Sequence, residues 1–270
     1  MLDLHKLNPL RRSRADIRLT KEPALPPGTL VHVGEQKIEQ MTIQAVQYDA
    51  ENVSISEPAD VAACQPFKDR TAVTWLHMTG LHDVDQMAEL GSTFDIHPLV
   101  LEDILNTRGR SKIEIFDEYI FVVSKLAAME KDGSHVRIQH FAILVLPNTV
   151  LTFLEEPTPI FDPVVSRIKK GNGRIRKAGA DYLAWAVVDS LVDNYFGVID
   201  ALDEAVSLLD DRLQEDAVSI DAAQLYATRR EVTCLYRLVR PLREVANALT
   251  KANSPLVDQQ SEPFFRDLYD

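Results

Sequence analysis

The sequence predicts an α/β protein in which a mixed β-sheet is followed by a long antiparallel helical hairpin and then by the beginning of one more helix. Three observations carry this expectation. Short runs of β-branched and aromatic residues, bounded by turn formers, fill the stretch up to about residue 160. Beyond it strand patterns disappear, and apolar residues recur at helical steps of three and four. The chain closes on "SEPFFRDLYD", where Pro263 suits the first turn of a new helix. At 270 residues there is room for an α/β domain with an appended helical region. The balance of 46% hydrophobic to 26% charged residues is that of a folding globular protein, not a disordered or fibrous one.

Taken in order, residues 1–25 mix basic and apolar groups without a period and read as an arm. "EPALPPGTL" then supplies a turn. "LVHVG", "MTIQAVQYD" and "TAVTWLHMTG" read as strands. The pattern turns helical between residues 84 and 90, and a second helix is predicted over 98–106, with Pro98 in a first turn that needs no donor N–H. "EYIFVVSKLAAM", "VRIQHFAILVLP" and "TVLTFLEE" are three further strands, with "EKDGSH" and "PN" as turns between them. From Val188 onward, Val188, Val192, Tyr195, Ile199, Leu202, Val206, Leu209 and Leu213 form the seam of a long packed helix. The polar break "QEDAVSIDA" lets the chain reverse. Leu225, Val232, Leu235, Val239, Leu242, Val245 and Leu249 then outline an antiparallel partner, which Pro241 should kink or divide. The expected organisation is an arm over 1–25, an α/β domain over 26–160, a helical region over 161–262, and a helix start over 263–270. A chain that stops on Phe264, Phe265, Leu268 and Tyr269 leaves those side chains without a completed surface, so a longer native chain is expected.

Charge narrows the function classes. A formal net charge of -12 argues against broad attraction to nucleic acid or anionic membrane, and favours attraction of cations. Cys64 and Cys234 stand far apart, so neither a CxxC metal knuckle nor a disulfide framework is present, and a reducing compartment fits. No stretch approaches the roughly 18 to 20 consecutive apolar residues that span a bilayer, and the N-terminus lacks the apolar core of a signal peptide. A soluble chain is the expectation.

One stretch, "HPLVLEDILN", concentrates the candidate chemistry. Glu102 and Asp103 sit on a short helix beside the apolar face Leu99, Val100, Ile104 and Leu105. They could simply favour an early helical turn through the dipole, act as a catalytic acid pair, or dock a divalent cation. Along the long helix, Asp189, Asp193, Asp200, Glu204 and Asp211 share one face. This is either a solvated face opposite the seam or a cation-attracting surface. "RIKKGNGRIRK" lacks the GxxxxGK[ST] pattern of a phosphate loop and has no aromatic residues to stack bases, so it reads as a basic connection and not a nucleic-acid site. His77, His82, His97, His135 and His140 include no HExxH spacing, and no G-x-S-x-G elbow occurs. His97 beside Pro98 reads as a residue that starts or packs a helix.

"VTWLHMTGLHD", "FDIHPLVLEDILNTRGRSKIEIFDEYIFVVSKL", "DYLAWAVVDSLVDNYF", "RPLREV" and "PFFRDLYD" resemble, in this order, the cytoplasmic portion of the CorA family of magnesium transporters. The most specific block is HPL-LED, followed by a basic residue and a K-E-(F/Y) pattern. The resemblance implies an αβα sandwich, long helices, and a stalk helix that continues into the membrane. There a second transmembrane helix and a Gly-Met-Asn loop complete a homopentameric pore, and this chain contains neither. It further implies a protein of the cell membrane whose present portion is cytoplasmic, a transporter and not an enzyme. By motif matching, Asp103 is a metal ligand beside Glu102. Asp267 is its partner from the adjacent subunit, and Asp189 joins Glu102 in a second site. The ion so sensed is Mg2+, with Co2+ or Zn2+ also compatible with oxygen ligands. Asn194 stands where some relatives carry another acid. Three other readings stay open: a zinc- or proton-coupled relative, a soluble hydrolase using Glu102, Asp103 and His97, and an acidic helical interaction module.

Overall fold

The computed structural model describes residues 25–68, 71–129, 136–171, 173–215, 222–251 and 254–269. The expected arm lies almost wholly outside these residues. So do His135, the "EKDGSH" turn and most of the "QEDAVSIDA" break.

Seven strands build one sheet: β1 (Thr42–Tyr48), β2 (Val53–Ser56), β3 (Val73–Thr79), β4 (Lys112–Ile115), β5 (Ile120–Met129), β6 (Val136–Val145) and β7 (Thr149–Leu154). Their order is β2-β1-β3-β7-β6-β5-β4. The central β3–β7 pair is parallel and the remaining pairs are antiparallel, so the sheet is mixed as expected. The crossover from β3 carries α1 (Val84–Phe94) and α2 (Pro98–Leu105) before the chain returns through β4, β5 and β6 to β7.

Neighbouring residues along each strand serve different cores. Leu76, Phe121, Val123 and Ala142 meet Met87, Leu90, Val100 and Ile104 of α1 and α2. Trp75, Val122, Phe141 and Ile143 meet Leu183, Val187 and Leu191 of α4 (Ala180–Glu215) on the opposite face. This is an αβα sandwich. Because both faces are covered, β7 buries every one of its residues, Thr149 and Thr152 included. α5 (Ala222–Lys251) and α6 (Glu262–Tyr269) complete the α4 layer.

Several expectations needed correction. "LVHVG" is not a strand. Val33 forms one isolated bridge with Asn106, donating to the Leu105 carbonyl and accepting from the Thr107 amide, so it caps the end of α2 instead of extending the sheet. The four-residue strands β2 and β4 went unrecognised because short, half-polar edge strands carry little periodic signal. α3 (Asp162–Lys170) runs into the basic segment that was read as a connection. Its signals were present, with Pro163 in the first turn and Gly171 in the left-handed conformation at its end.

Within the hairpin, α4 begins ahead of the predicted seam, and α5 continues through Pro241. Val188, Tyr195, Leu202 and Leu209 are buried, but Ile199 and Val206 are exposed, as are Leu225 and Val232 of α5. The buried stripe instead uses Leu191, Val198 and Ala205, because α4 must face the sheet and α5 together.

Candidate cation site

α2 starts as its sequence requires. His97 is its N-cap, with Nδ1 accepting from the Leu99 amide at 3.2 Å, and Pro98 follows in the first turn. The His97 amide in turn donates to Tyr119 Oη. His97 therefore acts as a capping residue. Val100, Leu101, Ile104 and Leu105 are buried on the sheet. That anchoring leaves Glu102 and Asp103 half-buried at the rim.

The two carboxylates have different partners. Glu102 Oε2 accepts from the Gly28 amide at 2.7 Å. Gly28 has φ +81°, a conformation that favours glycine, so this turn can present its N–H to the carboxylate. Asp103 pairs with Lys112 Nζ at 2.5 Å, and the same ammonium reaches Glu114 at 2.9 Å. Burial works to lower the Lys112 pKa, but the hydrogen bonds to Asp103 and Glu114 outweigh it and the net direction is upward. One ammonium thus bridges two carboxylates at the α2–β4 corner. Its signal was already present in the K-E pattern after the LED block, although Lys112 was not singled out as the partner of Asp103.

Asp189 and Asp267 occupy the other layer. Burial pushes the Asp189 carboxyl above its ordinary range, the charge of Asp193 adds to this, Arg167 opposes it, and Asp267 contributes further repulsion. Asp267, on α6, is exposed. Asp193 and Asp267 thus both lie within electrostatic reach of Asp189 in a single chain, a repulsion that a cation would relieve. The rest of the predicted acidic stripe, Asp200, Glu204 and Asp211, is exposed to solvent.

The sheet separates the two sets, since α2 packs on one face and α4 with α6 on the other. Among the described residues, no group of three or more His, Cys, Asp or Glu side chains in one chain is placed to hold a metal ion. Asp189 and Asp267 share a layer, whereas Glu102 and Asp103 share the opposite one.

Asn194 proves to be a structural donor. β4 pairs only with residues 120–123 of β5, so the outer edge of β5 beyond them is left open. Asn194 Nδ2 donates to the Ala127 carbonyl and Tyr195 Oη donates to the Lys125 carbonyl, closing that edge with side chains of α4. A carboxylate could not make the Asn194 bond, which accounts for an amide where an acid was anticipated.

No helix among the described residues is long and apolar enough to cross a membrane. The αβα sandwich with its long helical hairpin has the fold of a CorA soluble domain. The family model for the CorA-like Mg2+ transporter protein matches residues 70–270, and the chain belongs to that family. It is 36% identical over 253 residues to the cobalt/magnesium transport protein CorA of Thermotoga maritima, covering 94% of this chain and 72% of that protein. Its fold is similar to the soluble domain of CorA from Methanocaldococcus jannaschii, with a TM-score of 0.66 at 15% identity, covering 84% of this chain and 86% of that one. It is also similar to the ZntB cytoplasmic domain from Vibrio parahaemolyticus, with a TM-score of 0.62 at 14% identity, covering 86% of this chain and 87% of that one. The family comprises transporters of divalent cations and not enzymes, so the hydrolase reading is set aside.

Proposed function

We propose that this chain is the cytoplasmic regulatory domain of a homopentameric divalent-cation transporter of the cell membrane, sensing Mg2+ at carboxylate sites between subunits. The observation that carries the reading is the division of the acids between two layers. Asp103 with Asp267, and Glu102 with Asp189, both pair an α2 residue with one from the α4–α6 layer, so one interface between adjacent subunits would form both sites. The donor set suits the ion. Mg2+ is hard, keeps several waters and needs only one or two carboxylates, and the solvent access of Asp103 and Asp267 leaves room for those waters. Co2+ is compatible with the same oxygen ligands.

Regulation follows from repulsion. Carboxylates brought together across an interface repel when empty and attract when bridged, so the ion binds the closed assembly better than the splayed one. Bound Mg2+ would hold the pentamer closed, and its depletion would loosen the subunits and open the pore. The test is limited proteolysis of the assembled transporter over a Mg2+ titration. Protection should rise with Mg2+ and weaken in Asp103→Asn and Asp267→Asn. Unchanged protection in both variants removes the intersubunit site. Flux assays comparing Mg2+, Co2+ and Zn2+ decide the permeant ion.

A further inference from the structure

A second feature lies away from these carboxylates, at the other end of the sheet. An open cleft of about 500 Å3 lies over β1 and β3, within the size range of small-molecule sites. Thr42, Gln44 and His77 line it from the sheet. Glu57 stands on one wall, and Phe161 and Asp162 on the other.

The protonation of its imidazole follows from its neighbours. Thr152 is fully buried, and its Oγ1 lies 2.8 Å from both Trp75 Nε1 and His77 Nδ1. An indole N–H can only donate, so Thr152 Oγ1 accepts from Trp75. The hydroxyl proton then has one acceptor among the described residues, His77 Nδ1. The reverse arrangement would bury a hydroxyl proton with no partner. Nδ1 is therefore the acceptor, and the ring proton sits on Nε2. Burial lowers the His77 pKa to about 4, so the ring is neutral near pH 7. Nε2 has no hydrogen-bond partner among the described residues and is not sealed from solvent, so it opens into the cleft. Trp75 and Phe161, each edge-on to His77, fix the ring.

The cleft thus offers one fixed N–H donor at its floor and two exposed carboxylates, Glu57 and Asp162, at its rim. His77 presents a proton and not a lone pair to the cleft, so its imidazole is not placed as a metal ligand, and the acidic rim repels anions. We propose that this cleft binds a small, non-anionic heterocycle that carries a ring acceptor for His77 Nε2–H and an exocyclic amine for the rim carboxylates, the chemistry of an unphosphorylated purine. This proposal is independent of the cation-sensing reading.

Adenosine is the probe, followed by saturation-transfer NMR on this chain, with AMP as the anionic comparison. Saturable adenosine binding is expected at millimolar concentration or below, with AMP at least about fivefold weaker. The rim variant Glu57→Gln/Asp162→Asn changes only exposed side chains and should weaken adenosine by about fivefold or more, the scale of lost polar contacts. His77→Phe keeps the aromatic contacts and removes the donor, and should abolish binding. Should that variant fail to fold, the rim variant decides. The proposal is overturned if adenosine shows no saturable binding, if AMP binds equally well, or if the rim variant binds adenosine as the parent does.

Discussion

Replacing Lys112 with Met tests the candidate site from an unexpected side. In this chain Lys112 occupies Asp103 with its own ammonium, at 2.5 Å, and simultaneously neutralises Glu114. A cation approaching Asp103 must share that carboxylate with Lys112 or displace it. The side chains of Lys112 and Asp103 are 33% and 34% exposed, so the pair belongs with surface ion pairs, worth about 0.2 to 1 kcal/mol. Met keeps an apolar stem while deleting the charge, and with it the placement of Nζ over the Phe121 ring. Removing the competitor, and leaving Asp103 and Glu114 to repel each other, should lower the Mg2+ midpoint for protease protection of the assembly by up to about fivefold, the factor corresponding to the upper end of that energy. Thermal stability at saturating Mg2+ should change little. If the midpoint stays in place or rises while the protein remains folded, Asp103 is not a ligand in competition with Lys112, and its pairing is purely structural.

Three further outcomes follow from the fold. Stability should fall as pH drops from about 6.5 towards 4. Burial lowers the folded-state pKa of His77 to about 4, and that of His140 well below its ordinary value, so the unfolded chain takes up protons that the fold resists. For His77 alone the loss is up to about 3 kcal/mol, read as a lower urea midpoint at pH 4.5 than at pH 7.5. Asn194→Asp should cost about 2 to 4 kcal/mol by setting a carboxylate against the Ala127 carbonyl, visible as a lower Tm. Gly91→Ala should destabilise by about 1 to 3 kcal/mol despite alanine's better helix propensity. Its Cβ would stand 2.3 Å from Leu101 Cδ1, where α1 packs on α2, and a Leu101→Ala background should recover part of the Gly91→Ala loss in thermal melts.

What could be read from the sequence, and what could not, divides along physical lines. The long strands and the helical hairpin were legible because burial on one or both sides imposes a pattern over many residues, as in β5, β6 and α4. β2, β4 and the Val33 bridge were not, because each depends on a partner distant in sequence and spans too few residues to show a period. The seam of α4 was read with the right spacing but partly on the wrong positions, since the sequence cannot tell which side of a two-sided contact outweighs the other. The candidate site shows the same division. Glu102 and Asp103 stand out as local residues on a capped helix, and the resemblance pointed to Asp189 and Asp267. Their present partners are a backbone amide at Gly28, an ammonium at Lys112, and the like charge of Asp193, and these arise only from folding. Asn194 makes the point most directly. Judged by position it is an acid that was lost, yet judged by contact it is the donor that closes the open edge of β5. The amide therefore has to be explained by the stability of the α4–sheet junction before any inference is drawn from it about the number of carboxylates in the site.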